Sequence, residues 1–260
     1  MNSYIKILIP IVFLLASCEQ FDYSQYQVLS SDYSDINQKN INRFINIEKD
    51  TVTLAVIGDT QRFYNSTRST IAKINATPDI DFVVHSGDLV DFGTQDEFEW
   101  MHELLSTMNY PYVAVVGNHD LIGNGDEIYR MMYGPDNFSF TFNRNKFIYL
   151  NTVSSEDNNV PDVAWIEHEL SDTSNYDHAI IVSHVSNLHG DFNSEKKAWF
   201  EDALRKYEKV MLSISGHNHQ FSFWTPEPDG ISYMTTSSTT FEKFVLVKIW
   251  ESGFSYEIIE

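Results

Sequence analysis

The stretch Phe82-Val83-Val84-His85-Ser86-Gly87-Asp88-Leu89-Val90-Asp91 decides the fold. A short, β-rich apolar run is followed by a glycine and then by a carboxylate. Such a run reads as a buried strand, and the polar residues behind it as a loop at the strand's carboxyl end. Working outward, the same arrangement recurs. Val52 to Ile57 leads into Gly58-Asp59-Thr60-Gln61, and Tyr112 to Val116 into Gly117-Asn118-His119-Asp120. Ala179 to Val182 leads to His184, and Val210 to Ile214 to Gly216-His217-Asn218-His219. Phe147 to Leu150 is a further apolar run of this kind. Strands without polar alternation belong to sheets covered on both faces.

Helical periodicity fills the gaps. Thr94 and Glu97 form a capping-box pattern ahead of Phe98, Met101, Leu104, Leu105 and Met108, which share one helical face. Helices are also predicted over Thr67 to Asn75, Asp162 to Leu170 and Ser194 to Tyr207, with a short one over Asp35 to Asn46 capped by Asp35. From Gln220 onward helical patterning stops, and strand-like runs around Tyr233 and over Phe244 to Trp250 predict a second sheet packed on the first. The expected fold is α/β: a two-sheet sandwich flanked by helices. In open α/β sheets ligands bind beyond the carboxyl ends of the strands, so clusters scattered in sequence converge there.

A single Gly-Asp turn or a lone histidine is ordinary structure. Five clusters at strand ends are different. They supply carboxylates, an amide oxygen and three imidazoles, a mixed nitrogen and oxygen set suited to manganese, iron, zinc and related ions. In order and spacing they resemble the signature of the calcineurin-like metallophosphoesterases, over roughly Val52 to His219. The resemblance implies a site for two divalent or trivalent metal ions. Asp59 and His219 would bind the first, Asp88 would bridge both, and Asn118, His184 and His217 would complete the second. It further implies hydrolysis of a small phosphomonoester or phosphodiester by a hydroxide bridging the ions. His119 would be the general acid, oriented by Asp120.

One position departs from that signature. Many members carry Asp-x-His at the first strand, whereas this chain has Asp59-Thr60-Gln61. Gln61 leaves three roles open: a weak ligand through its amide oxygen, a hydrogen bond to a metal-bound water, or a side chain turned away. A weaker or differently selective first metal site is expected. Asp91 is read as a brace for the Asp88 loop, and His85, His102 and His168 as packing or supporting residues. His189 and Arg62 are candidate substrate contacts, with Tyr64, Gly123-Asn124-Gly125, Asp191-Phe192 and Trp224 as candidate pocket walls. The alternatives are an inactive metal-binding envelope lipoprotein, which Gln61 favours, and an exonuclease of the same superfamily.

The amino terminus carries a separate message. Lys6 precedes an apolar run from Ile7 to Leu15, too short to span a bilayer, so residues 1–17 read as an export signal. Leu15-Ala16-Ser17-Cys18 resembles the lipobox of bacterial lipoproteins, whose cysteine is acylated after cleavage. The resemblance implies a lipid-anchored protein of the cell envelope, with residues 18–34 a flexible tether and 35–260 the folded domain. Cys18 is the sole cysteine, so no disulfide can form within the chain. The net charge of −20 argues against nucleic acid, whose binders present a basic face. No protein partner is evident.

Overall fold

The computed structural model describes residues 24–155, 158–226 and 230–260, so the expected signal segment and Cys18 lie outside the described residues. In chain order the first half contains α1 (Ile36–Ile41), β1 (Val52–Ile57), α2 (Tyr64–Ala76), β2 (Phe82–His85), α3 (Gln95–Leu105), β3 (Tyr112–Ala114) and α4 (Gly125–Tyr133). There follow β4 (Phe138–Phe142), β5 (Asn145–Leu150), α5 (Val163–Ser171), β6 (His178–Ser183), α6 (Lys197–Arg205) and β7 (Val210–Ser215). The chain continues with β8 (Ser222–Trp224), β9 (Ser232–Thr235), β10 (Phe244–Trp250) and β11 (Gly253–Ile259).

Two sheets result, one ordered β11-β10-β1-β2-β3 and the other β4-β5-β6-β7-β9-β8. Their central strands are parallel: β1 with β2, β2 with β3, β5 with β6, β6 with β7 and β7 with β9. Parallel pairing requires crossovers, and α2, α3, α5 and α6 lie in those connections. The register aligns the strand ends, since Ile57 is level with His85 and His85 with Ala114. In the other sheet Leu150 is level with Ser183, and Val182 with Ile214. The polar clusters therefore emerge side by side.

Alternate residues divide between two apolar layers. Leu54, Val56, Phe82 and Val84 of one sheet pack with Phe147, Tyr149, Ile180, Val182, Leu212 and Ile214 of the other. Ala55, Ile57, Val83, Ile148 and Ile181 face the helices instead. Both faces are thus buried, which is why these strands read as continuous apolar runs. Phe44, just beyond α1, stacks on Phe82 with ring centroids 4.4 Å apart and closes one end of the inter-sheet layer.

The two-sheet α/β architecture agrees with the sequence, but the allocation of strands does not. The run over Phe244 to Trp250 does not build the second sheet: β10 pairs antiparallel with β1 inside the first. Only β8 and β9 join the second, whose centre is the parallel set β5, β6 and β7. Six similar apolar runs carry no mark of which sheet each enters. The helix α4 and strand β4 were not anticipated: Gly123 and Gly125 masked the start of α4, and β4 is only partly buried. Asp35 precedes α1 in a left-handed conformation, φ 49°, without a side-chain cap.

Part of the expected tether has a place on the domain. Leu29 donates its N–H to Gln95 Oε1 at 2.7 Å, Ser31 Oγ donates to Glu99 Oε1 at 2.8 Å, and Asn124 Nδ2 donates to the Tyr26 carbonyl at 2.9 Å. Among the described residues, no helix is long and apolar enough to cross a membrane.

Phe82 has no exposed surface and meets Phe147 edge-on at 5.2 Å in addition to Phe44. Phe82→Ala should destabilise the protein by about 3–5 kcal/mol through lost burial and the cavity left between the sheets. Urea unfolding followed by tryptophan fluorescence measures this, and a loss under about 1 kcal/mol would contradict the packing described.

Candidate metal centre

The loop after β2 delivers Asp88 with its backbone in the left-handed region, φ 54°, behind Gly87 at φ 92°. A Cβ on Gly87 would lie 2.7 Å from His184 Nδ1, so glycine is required both for conformation and for space. Gly117 is required for closeness alone, since a Cβ there would lie 2.2 Å from Asp88 Oδ1. Asp59, Gln61, His217 and His219 also have positive φ, from 40° to 72°. Five non-glycine residues in a sparsely populated conformation at one locus mark a functional site.

Asp88 is 1% exposed and serves as the hub. Its Oδ1 accepts the His119 N–H at 2.9 Å and faces His184 Nε2 at 3.3 Å, while Oδ2 accepts from Gln61 Nε2 at 3.2 Å. Asn118 Oδ1 lies 3.0 Å from His184 Nε2 and 2.9 Å from His217 Nδ1. His184 Nδ1 in turn faces the Ser86 carbonyl at 2.8 Å. That bond spans the two sheets, because Ser86 follows β2 and His184 follows β6.

Asp59 completes the cluster. Its Oδ1 accepts the His217 N–H at 3.1 Å and lies 3.4 Å from His219 Nε2. Its Oδ2 is buried and has no hydrogen-bond partner. A buried carboxylate oxygen left unpaired is costly, and a cation would satisfy it. Asp59, Asp88 and His184 have ligand atoms within 4.8 Å of one another. The donor set thus fits metal ions on its own chemistry. Gln61 points into the site with its amide nitrogen toward Asp88; rotating the amide by 180° would present Oε1 there instead.

The metal-free electrostatics carry the same signature. Burial, reinforced by the Asp88 charge, pushes Asp59 up to about 7. Burial alone would lower His184, but the Asp88 carboxylate outweighs it and, with Asp59, raises the imidazole to about 9. Burial would raise Asp88, yet His184 and the His119 N–H hold it well below the usual carboxylate range. In the metal-free chain a proton held on His184 offsets part of the Asp88 charge, a compensation that a bound cation would take over.

The structure brings together Asp59, Gln61, Asp88, Asn118, His184, His217 and His219, but it separates Asp120 from the role expected for it. Asp120 is buried and directed away, with Oδ1 accepting the Val90 N–H at 2.9 Å and Oδ2 the Gly117 N–H at 2.8 Å. It pins the loops that carry Asp88 and Asn118, and burial pushes it up to about 8. The partner of His119 is Asp91: His119 Nδ1 lies 2.9 Å from the Asp91 carbonyl and 3.4 Å from its carboxylate. The family resemblance implies Asp120 for this role. The parallel neighbours β2 and β3 bring their loops together and make Asp91 the nearer group. Arg62 NH1 holds the other Asp91 oxygen at 2.5 Å.

The remaining candidates sort themselves. His85 is buried, faces Thr60 Oγ1 at 3.0 Å, and supports the Asp59 loop; burial pushes it down to about 3, so it stays neutral. His102 bonds Tyr112 OH far from the cluster, and His168 lies on α5. The Gly123 turn is covered by Tyr26. His189 and Asp191 border the centre, with Asp191 Oδ2 2.9 Å from His217 Nε2. A pocket of about 150 Å³ opens there between Asn118, Val153, Ser154, Val185, Asp191 and His217.

The family model for calcineurin-like phosphoesterases matches residues 52–221. A glycerophosphodiester phosphodiesterase of Enterobacter lignolyticus is 25% identical over 55% of this chain and 57% of its own length. A probable cyclic nucleotide phosphodiesterase of Coxiella burnetii is 23% identical over 60% of this chain and 67% of its own. The chain therefore spans little more than half of the first of these relatives. Among solved structures, a dimetal phosphatase from Danio rerio superposes with a TM-score of 0.66 at 14% identity, covering 80% of this chain and 95% of that one. A purple acid phosphatase from yellow lupin gives 0.61 at 16% identity, over 82% of this chain and 52% of that one. These two likenesses concern the fold.

Asp59, Asp120 and His184 all hold protons more tightly in the folded chain than in the unfolded one. The stability they contribute is complete at low pH and is lost as pH rises through about 7, 8 and 9. In chelator, the thermal midpoint should therefore fall between pH 7.5 and 9, above the range in which His85, His102, His217 and His219, all lowered by burial, gain stability with rising pH. Manganese should oppose that fall, and its stabilisation should grow with pH because it displaces protons; 100-fold excess over Kd corresponds to about 2.7 kcal/mol. Scanning calorimetry at several pH values checks this, and a metal effect that shrank with pH would contradict it.

Proposed function

The chain belongs to the calcineurin-like phosphoesterase family, and on that premise we propose that it hydrolyses a phosphodiester at a centre of two metal ions. The observation that carries the reading is Asn118 Oδ1 set between His184 Nε2 and His217 Nδ1, with Asp88 bonded into the same group. Asp59 and His219, joined by Asp88, would hold the first ion, with Gln61 beside it. Asp88, Asn118, His184 and His217 would hold the second. The choice of diester over monoester is supported by the names of the two curated relatives above.

When bound, the ions would neutralise phosphoryl oxygens and make a water nucleophilic near neutral pH. The chain's residues do the rest. Asp88, with Oδ1 toward His184 and Oδ2 toward Gln61, would be shared by the two donor groups. His119, its Nδ1 engaged by Asp91, keeps Nε2 for proton transfer. In the imidazolium form it can protonate the departing alkoxide, and the Asp91 carboxylate stabilises that cation. Arg62 restrains Asp91 and so the ring. The buried pair Asp120 and Gly117 keeps the Asn118 loop in register with Asp88.

Metal-reconstituted protein should cleave bis(p-nitrophenyl) phosphate faster than p-nitrophenyl phosphate. Asp88→Asn should reduce turnover by about a hundredfold or more. His119→Ala should lose about 10²–10⁴-fold on alkyl esters, but less on nitrophenyl esters, whose leaving group needs no proton. Full activity of Asp88→Asn, or equal losses on both ester types, would sink the corresponding part of the proposal.

The proposal also places the enzyme on a membrane of the cell envelope through acylation of Cys18, on the strength of Leu15-Ala16-Ser17-Cys18. Wild-type protein expressed in a bacterial host should fractionate with membranes and incorporate labelled palmitate. Cys18→Ser should do neither. Label retained in that variant would remove the anchor from the proposal.

A further inference from the structure

We propose that Asp191 is a positioning residue for His217, setting which imidazole nitrogen faces the metal centre. The inference rests on the metal-centre reading above. His217 Nδ1 is directed inward, 2.9 Å from Asn118 Oδ1; an Nδ1–H can donate to that oxygen in the metal-free chain, but to hold an ion the ring must carry its proton on Nε2 and offer a lone pair at Nδ1. Asp191 Oδ2 sits 2.9 Å from Nε2, where an ionised carboxylate accepts that proton in a hydrogen bond. The carboxylate thereby selects the tautomer, fixes the ring plane and strengthens Nδ1 as a donor.

His184 has a counterpart arrangement, with Nδ1 on the Ser86 carbonyl and Nε2 facing inward. The two histidines thus present opposite nitrogens, and each is held from behind by an oxygen. The support for His217 comes from a loop but is itself anchored. Ser154 Oγ donates to the Asp191 carbonyl at 3.2 Å, and the Asp191 N–H donates to His189 Nδ1 at 3.2 Å. The next residue, Phe192, is 4% exposed and packs on Phe200 of α6 at 5.1 Å.

His189, Asp191 and His217 also lie close enough together to hold an ion themselves. The nitrogens concerned already have partners: His189 Nδ1 accepts the Asp191 N–H, and His217 Nε2 lies 2.9 Å from Asp191 Oδ2. Positioning is the reading the hydrogen bonds favour.

The test is calorimetric titration of full-length chelator-treated protein with manganese, alongside ¹⁵N spectra of the histidine rings in the zinc-loaded protein. Wild type should bind two equivalents and hold His217 as the Nε2–H tautomer. Asp191→Ala should weaken one equivalent about tenfold, leave the other unchanged and lose the tautomer preference. Asp191→Asn, which keeps an acceptor oxygen but not the charge, should fall between. The side chain is 67% exposed, so urea unfolding should be unchanged. Unaltered affinities and tautomer in Asp191→Ala would overturn the positioning role alone. A third equivalent lost in both His189→Ala and Asp191→Ala would overturn it in favour of a ligand role. A wild type that binds no metal would overturn the metal centre and this inference together.

Discussion

The structure depends on one buried carboxylate. Asp88 sits where the ends of the two sheets meet, nearly without solvent, and stays ionised because charge and hydrogen bonds surround it. His184 comes from one sheet, the His119 N–H from the adjacent loop, and Gln61 from the loop after β1. An isolated charge at that depth would be prohibitive, so the residues that satisfy it are fixed in position as firmly as a core side chain. The left-handed residues and the two space-limited glycines follow from bringing those groups within reach.

That constraint explains why the fold needs two sheets rather than one. A single parallel sheet could align the Asp59, Asp88 and Asn118 loops, which follow β1, β2 and β3. It could not face them with His184, His217 and His219, which follow β6 and β7 from the opposite side. The inter-sheet layer built on Phe82, Phe147, Val182 and Ile214 sets the distance between the two donor groups. Packing far from the chemistry therefore sets the geometry of the centre, because close-packed interiors do not deform gradually.

Much of this was legible in the sequence, for a physical reason. Strands buried on both faces leave uninterrupted apolar runs, and β1 and β2 were delimited to the residue by that signal. The polar residues that the fold gathers stand immediately behind those runs, so Asp59, Asp88, Asn118, His184, His217 and His219 are legible as one cluster. What the sequence concealed was tertiary. Nothing in Phe244 to Trp250 says that it pairs with Val52 to Ile57 rather than with its neighbours in the chain. Nor does adjacency predict that His119 turns to Asp91 while Asp120 turns inward to backbone amides. Position along the chain was a poor guide to partners wherever two parallel strands put distant loops side by side.

Charge ties the site to the rest of the molecule. The chain carries a net charge of −20, and its metal-free centre is built from acids compensated by a buried imidazolium. Such a surface repels a phosphate ester at long range, and the effect is largest at low ionic strength. Arg62, which meets Asp91 beside His119, is engaged by that carboxylate and so offers little free charge. Lys49 and Arg144 border other pockets. On the proposed function, attraction for an anionic group would come from the cations that Asp59 and Asp88 would hold. The acids that make the metal-free centre unfavourable to an anion are the same ones that would hold the ions, so on the proposed function substrate recognition would be coupled to metal occupancy.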